Sequence, residues 1–501
     1  MRLRFLDHAG RMAAEGDFPA GEGLSLWEAA RRLRVALSIP CGGHGLCGKC
    51  AVQVDPAPEP TAGERRLLSA AELNGGIRLS CLCRPERDTT IRPAAGFPGE
   101  KAPGRESPPP APAYPDRVPV DPGQAGVGAA VDLGTTTVAA GCVDLATGRV
   151  LGVAETPNPQ ARYGADVLVR LGYALQHPAA AAELRQAAGD GIRGAIAAAA
   201  EKAGVAPARL KRAVAVGNPA MHHLLLGLDV ESLAKVPHEP AVNAPREEPA
   251  EALGLALAEE ARVYLPPLIG GFVGSDALAV GLAEGLLAPG KPRLALDLGT
   301  NGEVLLASPG GVYACSTAAG PAFEGAGLRC GMRAEPGAII GAEPGEPLRL
   351  TTVAGEPPRG LAGSGALATV ATLVALEALS PDGRVRSPGE LPGPAWPGLP
   401  ERLVELPGGH RAVVLVPAAA SATGEDIVLT QQDVRQLQLA KGAVRAALTV
   451  LLGRAGLDAS DLEEVLLAGA FGQGLAPESA LAAGLLPPIP ASRLRPVGNA
   501  A

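Results

Sequence analysis

Cys41-Gly-Gly-His-Gly-Leu-Cys47-Gly-Lys-Cys50, joined at a distance by Arg78-Leu-Ser-Cys81, is the stretch on which the reading of this 501-residue chain turns. Three thiols share one glycine-rich loop and a fourth stands alone, a C-x5-C-x2-C…C spacing. Five of the eight cysteines (Cys41, Cys47, Cys50, Cys81 and Cys83) fall within the first 83 residues. Thiols clustered in a large chain without an export signal point to metal or redox chemistry rather than to disulfides. A zinc site sets its ligands as two close pairs; three cysteines in one loop fit an iron–sulfur cluster better. The loop glycines allow left-handed backbone and close approach of N–H groups to sulfur. The fourth ligand is Cys81 or Cys83. His44 reads as a solvent-facing loop residue, because no second histidine accompanies it. Cys142, Cys315 and Cys330 are scattered and read as small apolar core residues.

The spacing resembles that of 2Fe–2S ferredoxins, whose plant-type members use C-x4-C-x2-C…C and whose vertebrate-type members use the longer loop. Leu79-Ser80-Cys81 also resembles the ferredoxin pattern. The resemblance implies a β-grasp domain over residues 1–92 with a 2Fe–2S cluster on Cys41, Cys47, Cys50 and Cys81. The flanking sequence agrees. Leu3 and Phe5 alternate in an opening strand, Ser25 caps an amphipathic helix through Leu33, Thr61 to Leu73 is helical, and Thr89 to Arg92 is a closing strand.

Composition sets the outer limits. Lys and Arg number 44 against 52 Asp and Glu, a net charge of -8, which argues against a nucleic-acid partner. Aromatic residues make up only 3%, so the cores must be built from Ala, Val and Leu. The start, Met1 to Gly16, carries no apolar run of a secretory signal, and no stretch is long and apolar enough for a membrane span. Gly360 to Leu376 comes nearest and reads as a glycine turn entering a buried helix. A soluble, cytoplasmic protein without a membrane partner is expected. Ten of the 33 residues from Pro93 to Ala125 are proline, which makes residues 93–125 an extended linker.

Beyond the linker two phrases echo each other. Gly128-Ala-Ala-Val-Asp132-Leu-Gly134-Thr135-Thr136-Thr137 and Arg293-Leu-Ala-Leu-Asp297-Leu-Gly299-Thr300-Asn301-Gly302-Glu303 each run strand, Asp, tight turn, strand. Such a turn offers N–H groups and hydroxyls to phosphate oxygens, and an Asp at the strand end suits Mg²⁺. The pair resembles the two phosphate hairpins of the actin/Hsp70-like (ASKHA, ribonuclease H-like) superfamily. That resemblance implies ATP and Mg²⁺ at Asp132, Gly134, Thr135, Thr136, Asp297, Gly299, Thr300, Asn301 and Gly302. It implies catalytic roles for Asp297 and Glu303. Gly320 in the segment after the second hairpin, Gly363-Ser364-Gly365, and an adenosine motif with Gly469 and Gly472 would complete the nucleotide site. Gly285 to Lys291 has Walker A spacing but ends in Pro292, where a Mg²⁺-binding hydroxyl and an N–H are needed, so it is not a P-loop. His222 and His223 point to different faces of one helix and read as packing residues. Gln431 to Leu452, capped by Thr430, reads as a core helix.

Taken along its whole length, the chain resembles the reductive activators of corrinoid-dependent enzymes. The marks are Val216-Gly-Asn-Pro-Ala-Met-His-His, Leu296-Asp-Leu-Gly-Thr-Asn-Gly-Glu, Ala318-Ala-Gly-Pro-Ala-Phe-Glu-Gly, Leu437-Gln-Leu-Ala-Lys and Leu467-Ala-Gly-Ala-Phe-Gly. The resemblance implies ATP-dependent delivery of an electron from the cluster to the Co(II) of an inactivated corrinoid protein, restoring Co(I). A low-potential electron donor and a homodimeric state belong to that expectation. Residues 126–206 are either a separate middle domain used for dimerisation or the first part of the ASKHA body, which then occupies 207–501. Pro219 departs from the usual Thr or Ser of the family. The family continues past Val497-Gly-Asn-Ala-Ala501 into another helical segment, so a C-terminal truncation is expected. Two other readings differ in class: an archerase-like electron activator of another low-potential enzyme, and a non-catalytic carrier or redox sensor on an ASKHA scaffold. Cys142, Cys315 and Cys330 lack the spacing that an archerase cluster needs.

Overall fold

The computed structural model describes residues 1–93, apart from 8–9, 20, 22, 34, 36, 38–42, 44, 46–47 and 49, and residues 115–501, apart from 121–122, 165, 177–178, 300–301, 326, 346, 392–397 and 407–408. The N-terminal part is a five-stranded sheet in the order Met12–Asp17, Arg2–Leu6, Thr89–Pro93, Ala51–Asp55, Ile77–Leu79. Arg2–Leu6 runs parallel to Thr89–Pro93, and its neighbour on the other side is antiparallel. The helix Leu26–Arg32 lies across this sheet. Ser25 and Glu28 close a reciprocal capping box at its start, and Leu26, Ala29 and Ala30 bury against Leu3, Phe5 and Ile91. This is the expected β-grasp. The helix expected over Thr61 to Leu73 is two helices, Ala62–Leu67 and Ala70–Asn74. Leu68 is extended between them, and Ser69 with Glu72 opens a capping box of its own.

Residues 94–114 of the expected linker lie outside the described residues. Its C-terminal end is no free spacer. Val118 N–H donates to Gly148 O at 2.7 Å, and Val150 N–H donates to Asp116 O at 2.9 Å.

The remainder contains two sheets of one plan. In the first, Val127–Leu133, Thr137–Asp144 and Val150–Pro157 form an antiparallel meander, and Arg212–Gly217 and Arg262–Leu265 extend it in parallel, with Arg246–Pro249 at the edge. In the second, Arg293–Leu298, Gly302–Ser308 and Gly311–Thr317 form the meander, extended in parallel by Glu464–Ala468 and Leu494–Gly498. Each phosphate-type turn joins the first two strands of its meander. The boundary expected at 206/207 would cut the first sheet, because Arg212–Gly217 pairs along Val127–Leu133 from Gly128↔Arg212 to Leu133↔Gly217. Three of the six strands of the first sheet lie within residues 126–206 and the other three beyond them.

The cores follow the composition. The helix Ala180–Ala203 buries Leu184, Ala187, Ala188, Ile192, Ala195 and Ile196 against the first sheet. The helix Gln431–Ala455, capped by Thr430 and Asp433, and the helix Gly363–Ala375 fill the second. Among the described residues no helix is long and apolar enough to cross a membrane.

Candidate functional sites: a thiol pair and an acidic cleft

Strand Ala51–Asp55 pairs with Ile77–Leu79, and the residues just beyond this pairing bring Cys50 beside Cys81. Their sulfurs stand 3.2 Å apart and both are buried. The contact with Cys81 pulls the Cys50 thiol down to about 6, against burial, which pushes it up. Gly43 of the cysteine loop lies over the pair: a Cβ there would be 3.8 Å from Cys81 Cβ and 3.1 Å from the Trp27 ring. Its φ of +86° is one a glycine adopts freely. Cys83 takes another path. After Leu79 the chain turns, with Cys83 N–H donating to Leu79 O, and Cys83 enters the core of Leu3, Phe5 and Leu26. Burial pushes its thiol up to about 12. A pair of buried thiols, one of them acidic, fits a thiolate-ligated cluster; Cys83 does not. Cys41, Cys47 and His44 lie outside the described residues.

The second site lies between the two meanders. Asp132 and Asp297 occupy equivalent strand ends, and Glu303 sits opposite Asp297 in the second meander. Burial, and after it the charge of neighbouring carboxylates, pushes Asp132 and Asp297 up to about 7 each. Glu303 is raised further by burial and by Asp276 and Asp297. Desolvation and mutual repulsion thus keep Asp132, Asp276, Asp297 and Glu303 protonated to higher pH than isolated acids. Gly469 is backed against Asp297, and Gly302 against the Thr317 hydroxyl, at distances that exclude any Cβ. Thr136 Oγ1 donates to Glu324 Oε2 at 3.3 Å, and Asn499 Nδ2 donates to Asp132 Oδ2 at 3.2 Å, so both contacts bridge the halves.

Not every expected residue is there for a ligand. Cβ atoms on Gly363 and Gly365 would fall 1.8 Å from Phe323 O and 1.9 Å from Ile339 O. These glycines let a helix start against backbone, and Ser364 between them is buried. Gly472 is likewise packed on Leu467. Gly134 and Gly299 lie in the two turns, and Gly320 takes a φ of +72° with open space around it. Thr300 and Asn301 lie outside the described residues. Lys291 pairs with Glu463 on the surface at 3.0 Å. His222 bonds Ser275 Oγ at 2.9 Å and His223 bonds Pro219 O at 2.8 Å, both buried.

Sequence reasoning missed Asp276. It follows Gly274-Ser275 at the start of the helix Ser275–Ala283, and burial pushes it up to about 7. The glycine before this helix start was the available signal, since a Cβ on Gly274 would meet Gly217 O at 2.2 Å. Also missed were Asn158 and Arg170, which hold the first turn from behind. Asn158 Nδ2 donates to Gly134 O at 2.8 Å, Arg170 Nη2 to Thr135 O at 2.6 Å, and Asn158 N–H to Thr136 O at 2.8 Å.

The comparisons follow the same partition. Residues 14–86 match a 2Fe–2S iron–sulfur cluster binding domain, 127–288 the RACo middle region, and 291–501 the C-terminal domain of RACo, the ASKHA domain. The chain is 34% identical over 379 residues to the corrinoid activation enzyme RamQ of Eubacterium limosum, covering 75% of this chain and 62% of that one. It is 28% identical over 311 residues to the Co(II) methylated amine-specific corrinoid protein reductase of Methanosarcina barkeri, covering 56% and 52%. The match thus spans less than two thirds of the length of either curated relative. A solved structure titled reductive activator for corrinoid, iron–sulfur protein superposes with a TM-score of 0.66 at 27% identity, covering 100% of this chain and 91% of that one. With a ferredoxin-type head, a middle region and an ASKHA domain in that order, the chain belongs to the family of reductive activators of corrinoid-dependent proteins.

Proposed function

We propose that this protein is an ATP-dependent activator that passes one electron to the Co(II) of an inactivated corrinoid protein and so restores Co(I). The observation that carries the reading is the union in one chain of the Cys50–Cys81 thiol pair with a cleft of four carboxylates, all raised, between duplicated sheets. A 2Fe–2S cluster bound by Cys41, Cys47, Cys50 and Cys81 supplies the one-electron chemistry. Gly134 to Thr136 and Gly299 to Gly302 cradle the phosphates of ATP, and Asp132 and Asp297 take Mg²⁺ directly or through water. Gly469 borders the adenosine. Glu303 and Asp276 would orient the attacking water.

Moving an electron to a lower potential costs about 2.3 kcal/mol per 100 mV, which is the reason to join an ATPase to an electron carrier. The names of the relatives support a corrinoid protein as acceptor. A low-potential donor, a homodimer and a cytoplasmic setting belong to the same reading. The test is ATP hydrolysis by the anaerobic holoprotein with and without a Co(II) corrinoid protein, followed together with the Co(I) absorbance. Hydrolysis stimulated by the corrinoid protein and coupled to Co(I) formation is expected. Hydrolysis without Co(I) points instead to an archerase-like activator of another enzyme, and no hydrolysis points to a carrier or sensor.

A further inference from the structure

Between the N-terminal domain and the middle region runs a continuous stack of rings and guanidinium groups. It starts at the cysteine loop, where Gly43 packs on Trp27. Trp27 opens a helix whose first N–H groups donate to Cys83 O and Ser80 O, so this helix is fastened to the segment carrying Cys81. Arg31, one turn further on, lies with its Cζ 6.0 Å from the Trp27 ring and 5.0 Å from the ring of Tyr173 in the middle region. Tyr173 stacks on Tyr163 at 5.1 Å and 23°, and the Arg162 Cζ lies 4.8 Å from the Tyr163 ring. The Tyr173 hydroxyl is tied to Glu183.

The segment carrying the two tyrosines is also the one that holds the first phosphate-type turn. It begins at Asn158 and continues into the helix Val167–Gln176. Asn158 and Arg170 bind the three successive carbonyls of Gly134, Thr135 and Thr136. Arg170 is fully buried and also donates to Gly164 O at 2.9 Å, next to Tyr163. One segment therefore touches the head through Tyr173 and the turn through Asn158 and Arg170.

We propose that Tyr163 and Tyr173 form a docking surface for the chain's own iron–sulfur head, and that nucleotide at the first turn releases the head from it. The release half rests on the nucleotide reading above; the docking half does not. The direction follows from what occupies the turn. Thr136 Oγ1 is bonded to the Glu324 carboxylate, and a phosphate arriving at that hydroxyl meets a like charge. Glu324 and the turn must part, which shifts the three carbonyls and the segment that holds them. Arg31 is then drawn away from the Tyr173 face, and a cation–π contact fades beyond about 6 Å. Linkage is reciprocal, so whatever nucleotide does to docking, loss of docking does to nucleotide affinity. Released, the head is free to reach its redox partners.

The test uses the anaerobic full-length holoprotein and Arg31→Glu. Arg31 is half-buried on a surface helix; Arg31→Gln, which removes only the charge, serves if the Glu variant does not fold. Without nucleotide, small-angle scattering gives a larger radius of gyration for the variant than for the wild type. Equal radii overturn the docking surface. With saturating Mg²⁺ and a non-hydrolysable ATP analogue, the wild type expands to the radius of the variant. In calorimetry the variant binds the analogue about threefold more tightly or better, the scale of one such contact. Unchanged or weakened affinity, or no expansion of a wild type shown to bind the analogue, overturns the release. If the analogue does not bind the wild type at all, the nucleotide reading falls and the release with it, while the nucleotide-free comparison still decides the docking.

Discussion

Gly469 and Asp297 are in the contact that a side chain would end: a Cβ on Gly469 would stand 2.6 Å from Asp297 Oδ1. The strand Glu464–Ala468 runs parallel to Arg293–Leu298 with Ala468 opposite Asp297, so the next residue must turn away beneath the carboxylate. Gly469 does so at a φ of +78°. Gly469→Ala is expected to cost about 1–2 kcal/mol of backbone strain and to push the carboxylate out of place. Affinity for Mg²⁺-ATP should fall by about tenfold or more, the equivalent of 1.4 kcal/mol, in a protein that still melts cooperatively. Calorimetric titration checks it, and wild-type affinity in the variant would show that the carboxylate does not serve the nucleotide.

The choice of fourth cluster ligand is open to direct substitution. Cys81→Ser is expected to lose the cluster or alter its EPR signal. Cys83→Ser is expected to keep both signal and iron content while losing about 1–3 kcal/mol of stability, because it buries a hydroxyl among Leu3, Phe5 and Leu26. Iron and sulfide analysis of both variants decides. Retention in Cys81→Ser with loss in Cys83→Ser reverses the assignment.

Ser80 stands beside the same pair. Its hydroxyl is buried and favours the Cys50 thiolate. A donor near cluster sulfur raises the reduction potential. One net hydrogen bond of about 0.5–1.5 kcal/mol corresponds to roughly 20–65 mV for one electron. Ser80→Ala should therefore lower the midpoint potential by that amount in a redox titration. An unchanged or raised potential would place the hydroxyl away from the cluster.

The acidic cleft makes the apoprotein respond to pH in a defined direction. Asp132, Asp276 and Asp297 are raised from 3.8 to about 7, first by burial and then by one another or their neighbours. Between those values the folded state binds more protons than the unfolded one, so these groups stabilise the fold at low pH and cost stability as pH rises towards 7. Asp297→Asn should flatten that decline, seen as a smaller drop in Tm from pH 5 to pH 8 than in the wild type. Mg²⁺-ATP should bind more tightly as pH rises through about 7, since the cation displaces these protons. Parallel Tm profiles would show that the carboxylates are ionised throughout.

What could be read from sequence was what neighbouring residues settle among themselves. The capping boxes at Ser25 and Thr430 need only a residue three places on. The two turns after Asp132 and Asp297 are made within a few residues, and the repeated phrase implied the repeated sheet. The 206/207 boundary failed because the strand that closes the first sheet, Arg212–Gly217, follows a 24-residue helix and pairs far back in the chain.

Asp276 shows why the cleft could not be completed that way. No spacing marks it, and it joins Asp132, Asp297 and Glu303 only because its helix starts against Gly217. The order of a glycine-rich cysteine loop and two Asp-turn hairpins is legible along the chain, since each is a contiguous motif whose geometry local sterics impose. Only the tertiary structure decided that Cys81 meets Cys50 while Cys83 enters the opposite core, because the turn after Leu79 ends the strand alternation that would have put both on one face. It alone brings four carboxylates from three segments close enough for burial and mutual repulsion to raise them, which no local pattern encodes.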